Sequence, residues 1–226
     1  MSEATRDPVN QVVLKVRDEA GIAKLGLMTN QVWHDDPKRL VFSLARYKFV
    51  AKMLAGRKKV LEVGCGDGFA SRIVQQEVKE LTVSDFDPVF VADARSRGNG
   101  RWPANAIVVD ILSAPPPGRY DAAYSLDVLE HIPADREDVF IKNITAALDQ
   151  HGVLIVGMPS LESQAHASPP SREGHINCKR GTDLKAVMER HFHTVFMFSM
   201  NDEVVHTGFF PMAHYLIAVC CGKRQS

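Results

Sequence analysis

Four side chains stand out by type and spacing. Asp127, Glu130 and His131 fall close together, and His175 follows in Gly174-His175-Ile176-Asn177. If the first three open a helical turn, Asp127 lies three residues from Glu130 and four from His131, on one face. Two carboxylates and two imidazoles form a donor set for a divalent ion, and it suits zinc, manganese or iron better than magnesium. Without an ion, a histidine that titrates near neutrality takes a proton from a hydroxyl. His131 is then the general base and His175 a substrate contact. His151, His191 and His193 lie near helix ends and read as surface or capping residues.

A second stretch is built to hold a ligand rather than to react with it. Val60-Leu61-Glu62-Val63 is apolar and closed by an acid-containing turn, and Gly64, Gly66 and Gly68 follow at every second position. The order reads as strand, tight turn, helix. Glycine allows positive φ and close approach of a ligand to the backbone. The free N–H groups of a helix start favour a carboxylate or phosphate. A nucleotide-like ligand across the turn is therefore expected. Asp85, about twenty residues on, ends the next strand and suits ribose hydroxyls. Asp110 ends the third, where it would accept from an adenine amino group. Each Asp alone reads more readily as a cap, since Asp favours caps and turns. In register with the glycine turn they mark one ligand-binding edge.

These residues need a scaffold that brings strand ends together. Strands are expected at 60–63, 81–84, 106–109, 121–125 and 153–157, with helices between them. That alternation gives an α/β fold with a mostly parallel, helix-covered sheet. Two further strands, 194–198 and 215–219, close the chain. Ahead of the first strand, Asp36 and Pro37 start a helix in which Leu40, Leu44, Tyr47, Ala51 and Leu54 repeat on one side. Residues 12–20 form a short helix ended by Gly21, and 26–36 read as loop. Trp33 and Arg46 read equally as packing residues and as parts of a lid. The chain thus divides into a helical lid or packing segment, 1–56, and a ligand-binding domain, 57–226. Two long connections, 158–180 and 201–211, are expected to shape the substrate pocket, with Phe209 and Phe210 in the second.

Composition sets limits. The 226 residues carry 27 Lys plus Arg and 27 Asp plus Glu, a formal charge of zero. A nucleic-acid binder shows a basic excess or stripe, so nucleic acid is an unlikely partner. The four cysteines, Cys65, Cys178, Cys220 and Cys221, include no C-x-x-C pair, which speaks against a disulfide framework or thiolate zinc site. No signal peptide and no apolar run near the length of a membrane span is present, so a cytoplasmic location is expected and no membrane partner. A nicotinamide enzyme would carry G-x-G-x-x-G, which is not the spacing found.

Leu61-Glu62-Val63-Gly64-Cys65-Gly66-Asp67-Gly68 resembles motif I of the class I methyltransferases that use S-adenosylmethionine. Residues 120–132 resemble the strand-four motif of their small-molecule branch, and 152–156 match strand five. The resemblance implies a Rossmann-like sheet with a C-terminal antiparallel hairpin. It implies Glu62, Gly64, Cys65, Gly66, Asp85, Phe86, Asp110, Ile111 and Leu126 as cofactor contacts. Asp87 departs from the small polar residue frequent before Pro88. The acid-x-x-Glu-His pattern at 127–131 is similar to the metal sets of small-RNA 2′-O-methyltransferases and some ubiquinone-pathway O-methyltransferases, while Leu-Glu-His-Ile also occurs in relatives that need no metal. The leading function implied is O-methylation of a small polar acceptor such as a sugar or sugar nucleotide, as in polysaccharide-associated relatives. A quinone or aromatic metabolite, an RNA 2′-hydroxyl, and a non-catalytic cofactor-binding regulator are the alternatives.

Overall fold

A computed structural model describes residues 3–208 and 210–224 of the chain. Phe209, grouped above with Phe210, lies outside the described residues. The elements run α1 Gln11–Ala20, α2 Leu27–Asp35, α3 Pro37–Met53, β1 Lys59–Val63, α4 Ser71–Gln75, β2 Glu80–Asp85, α5 Pro88–Ser96, β3 Asn105–Val108, β4 Tyr120–Leu126, α6 Glu137–Ala147, β5 Leu148–Pro159, α7 Pro169–Gly174, α8 Gly181–Glu189, β6 Phe192–Asn201, β7 Val204–His206 and β8 Tyr215–Lys223.

The strands form one sheet in the order β3-β2-β1-β4-β5-β8-β6-β7. The first five are parallel, and β8 runs antiparallel to both β5 and β6. The expected mostly parallel sheet with a C-terminal antiparallel pair is the fold observed. The strand order reverses direction between β1 and β4, so the ends of those two strands open the crevice where open α/β sheets bind ligands.

Strand alternation decides which helix each residue meets. Leu61 and Val63 point to the face covered by Phe140, Ile141 and Ile144 of α6 and by Leu184 and Met188 of α8. Val60 points to the other face, under Tyr47, Val50 and Ala51 of α3, Leu54 just after it, and Val91 and Ala94 of α5. Val50 and Leu54 are fully buried, and each contributes about 1.5–3 kcal/mol by leaving water. Glu62 falls on this second face between its apolar neighbours, and α3 must therefore supply partners for a buried carboxylate.

Three stretches differ from the sequence reading. Residues 27–35 are helical rather than loop, because distant carboxylates cap the helix start: Leu27 N donates to Asp93 at 3.0 Å and Thr29 N to Asp67 at 2.7 Å. The 201–211 connection contains β7, joined to β6 through a tight turn in which Asp202 adopts φ 47°. The 158–180 stretch holds α7 and a short 3-10 turn over Glu162–His166. By contrast α1 ends at Gly21 as expected but buries none of its residues. Among the described residues no helix is long and apolar enough to cross a membrane.

Candidate active site

The glycine turn leaves β1 in a left-handed conformation, with φ of 76° at Gly64 and 51° at Gly66. An L-residue at Gly64 would also drive its Cβ into Val128. Gly64 N and Cys65 N both donate to Ser84 O, at 2.8 and 2.9 Å. Asp85 ties the turn to β2: Oδ2 accepts from Gly66 N at 2.8 Å and Oδ1 from Asp87 N at 3.0 Å. Val109 N in turn donates to Asp85 O at 2.9 Å. The ends of β1, β2 and β3 are thus one hydrogen-bonded unit. Phe86 projects from it, 73% exposed.

Other residues expected at the cofactor have different surroundings. Glu62 is buried behind the turn, and its two oxygens accept from Tyr47 Oη and Tyr124 Oη, each at 2.7 Å. Burial pushes its carboxyl above the usual range against the pull of these hydroxyls. It ties α3 to the floor of the turn. The Cys65 thiol is buried and donates to Gly66 O at 3.3 Å, and burial pushes it up, out of the reactive range. Ile111 and Leu126 are buried among core side chains. Asp110 caps its own turn, accepting from Leu112 N and Ser113 Oγ, which hold its carboxyl below the usual range with Ser113 the larger cause.

Asp127 follows β4 with φ 57°, a left-handed conformation that Asp tolerates better than most residues. Both its oxygens accept from Arg46 Nη1 at 2.8 Å. The guanidinium of Arg46 lies 3.8 Å from the centroid of the Tyr215 ring. Arg46 Nε and Tyr215 Oη are buried without a partner among the described residues. A guanidinium binds an anion best through two parallel N–H groups, and the Nε side of Arg46 is uncommitted. Sequence left Arg46 between packing and a lid; its orphaned Nε is a feature that packing alone does not account for.

The 3-10 turn Leu129–His131 carries the rest. Glu130 is buried, and among the described residues neither carboxylate oxygen has a partner. Burial, then the charge of Asp127, pushes its carboxyl well above the usual range. Asn177 N donates to Glu130 O at 3.0 Å and so docks the His175 segment here. His131 Nδ1 is 2.9 Å from Gly174 O, and His175 Nδ1 is 2.9 Å from Gln164 Oε1. A carbonyl oxygen only accepts, so each Nδ1 carries a proton, and in the neutral ring each Nε2 keeps its lone pair. The rings lie edge to face with centroids 5.2 Å apart. One donor atom from each of Glu130, His131 and His175 lies within 4.8 Å of the others. Asp127 is outside this group, because its turn sends the carboxylate to Arg46 instead. Burial, then His131, lowers the His175 imidazole below its usual range.

A cavity of about 400 Å³ opens at the end of β5, between the 159–175 and 211–214 segments. His175 forms part of its wall and so connects it to the group above. His214, which the sequence did not single out, forms part of the opposite wall. The cavity lies at the same edge of the sheet as the ends of the parallel strands, and its wall draws on the 158–180 connection and on Pro211 of the 201–211 connection.

Comparison with known proteins adds to the geometry. A family model described as a methyltransferase domain matches residues 32–191. The chain is 30% identical over 117 residues to the ubiquinone biosynthesis O-methyltransferase of Xanthomonas campestris pv. campestris, a match covering 49% of each chain. The chain thus spans about half the length of the curated relatives it matches. Among solved structures it resembles the N-methyltransferase NodS of Bradyrhizobium japonicum WM9 in complex with S-adenosyl-L-homocysteine, with a TM-score of 0.62, 19% identity, and 84% and 90% of the two chains covered. It also resembles a complex of DhpI with S-adenosylhomocysteine, with a TM-score of 0.63, 15% identity, and 87% and 92% covered. At these identities the structures establish a shared fold.

Proposed function

The chain belongs to the methyltransferase domain family, and on that premise we propose that it methylates a hydroxyl of a small polar acceptor, such as a sugar, using S-adenosylmethionine. One juxtaposition carries the reading. The glycine turn after β1 and the Glu130–His131–His175 group after β4 flank the point where the strand order reverses, with a cavity alongside.

The residues present fit the cofactor. Gly64, Cys65 and Gly66 would offer backbone to it, Asp85 would accept from its ribose, and Phe86 with the Asp110–Ile111 turn would flank its adenine. The orphaned Nε of Arg46 would take its carboxylate, and Leu126 would supply apolar wall. Glu62 would support the turn from behind. When bound, S-adenosylmethionine supplies a methyl group already activated on a sulfonium. The protein must then align the acceptor, exclude water and deal with one proton. His131 Nε2 takes that proton from the acceptor hydroxyl, and His175 orients the acceptor at the cavity wall.

A second observation favours a metal at the same place. The Glu130 carboxylate is buried with no partner among the described residues, and both imidazoles are tethered through Nδ1 in the manner of metal ligands. Two His and one Glu fit zinc, manganese or iron. An ion held by Glu130, His131 and His175 would polarise the acceptor oxygen. The test is divalent-ion binding and methyl transfer after exhaustive chelation, for wild type, His131→Ala and His175→Ala. Loss on chelation, recovery with one ion, and weakened ion binding in both variants support the metal. Full activity in the chelated protein leaves His131 as base. The relatives' names keep a quinone acceptor as the alternative to a sugar, and the same assay run on both classes separates them.

A further inference from the structure

The cavity at the end of β5 is electrostatically one-sided. Glu162 and three histidines, His166, His175 and His214, line it, and among the described residues no lysine or arginine does. Glu162 Oε2 is buried and has no hydrogen-bond partner among the described residues. The guanidinium of Arg180 is 3.9 Å from the other oxygen, beyond hydrogen-bond reach, and its side chain is 63% exposed, so solvent screens it. His214 does little to balance the charge: its Nε2 is buried without a partner among the described residues, and burial, then Arg46, lowers its imidazole below the usual range. Asp202 acts on His214 in the opposite sense and more weakly. The wall therefore presents a negative charge that the protein leaves largely uncompensated.

We propose that Glu162 selects a positively charged acceptor: a hydroxylated molecule bearing an ammonium group, of the amino-sugar type. The ammonium pairs with Glu162 while the hydroxyl to be methylated lies toward His175. The volume of about 400 Å³ accommodates a sugar ring with substituents. A phosphorylated or nucleotide-linked acceptor would bring negative charge against Glu162 with no cation on the wall to receive it, and is rejected. This rests on the reading of the cavity as the acceptor site.

The test is ligand-observed NMR titration of the protein loaded with S-adenosylhomocysteine, using four matched probes: glucosamine, glucose, N-acetylglucosamine and glucose 6-phosphate. Their rings agree and their charges differ. Glucosamine is expected to bind about tenfold or more tighter than glucose and N-acetylglucosamine, as for a hydrogen bond to a charged group, and glucose 6-phosphate weakest. In Glu162→Gln the preference for glucosamine should disappear while S-adenosylhomocysteine affinity stays at the wild-type value. Equal binding of glucosamine and glucose, preference for the phosphate, a glucosamine preference that survives in Glu162→Gln, or no binding of any probe overturns the proposal. Calorimetry on the same samples separates its failure from that of the methyltransferase reading, which would show as absent S-adenosylhomocysteine binding.

Discussion

Asp85→Ala should damage both the fold and the cofactor site. Both oxygens of Asp85 are committed, to Gly66 N at 2.8 Å and Asp87 N at 3.0 Å, and the residue is 7% exposed. A hydrogen bond to a charged group contributes about 1.5–3 kcal/mol. Alanine removes two such bonds, and the Asp87 amide lies on the more open side. We expect a net loss of about 2–4 kcal/mol without ligand. For a chain of this size that lowers the melting midpoint by roughly 4–16 °C. Releasing the Gly66 amide also loosens the turn, so affinity for S-adenosylhomocysteine should fall by about tenfold or more beyond the change in stability. Asp85→Asn keeps one acceptor oxygen and should lie between the two. Thermal denaturation without ligand and calorimetry with it read the two effects separately. An Asp85→Ala protein that melts with wild type but no longer binds would refute the pinning of the turn. One that melts and binds like wild type would refute the assignment of Asp85 altogether.

Tyr47→Phe removes one of the two hydroxyls on Glu62 and should cost about 1–2 kcal/mol by urea unfolding; an unchanged midpoint would mean that α3 is not held this way. Burial raises the Glu62 carboxyl above its ordinary 4.5, so its contribution is fully present below that value and is lost as pH rises through the raised one. Stability against pH should therefore fall more steeply over that window in wild type than in Glu62→Gln, and parallel curves would contradict it. Arg46→Met should weaken S-adenosylhomocysteine binding by about tenfold or more, as expected for a charged hydrogen-bond donor; wild-type affinity would return Arg46 to a packing role. Hydrogen exchange across residues 160–176 and 201–212 should slow when cofactor and acceptor are both bound, and rates equally slow in the free protein would count against closure.

How much of this was legible beforehand depended on how local the cause is. The strands and the Gly64–Gly66 turn follow from short-range signals: apolar runs, glycine spacing and acids at strand ends. The family resemblance rests on the same residues. The helix at 27–35 was missed because its caps, Asp67 and Asp93, come from far along the chain. Asp127 was grouped with Glu130 and His131 on the assumption of a helical turn. The backbone instead passes through φ 57° and a 3-10 turn, and its carboxylate pairs with Arg46, 81 residues away. Glu62 reads in sequence as part of a ligand motif, yet two tyrosines from α3 and β4 take its oxygens. His214 sits in an apolar stretch and gains its place only when β8 pairs with β5. In each case a partner distant in sequence decided the outcome.

The central claim is methyl transfer from S-adenosylmethionine to a small hydroxylated acceptor through the group after β4. The most direct measurement is mass spectrometry of a cell extract incubated with the protein and methyl-labelled S-adenosylmethionine, beside His131→Ala as control. The account predicts label on an oxygen of a small polar molecule with wild type, and its loss with the variant although S-adenosylhomocysteine still binds. Label confined to RNA or protein, or equal labelling by His131→Ala, would contradict it.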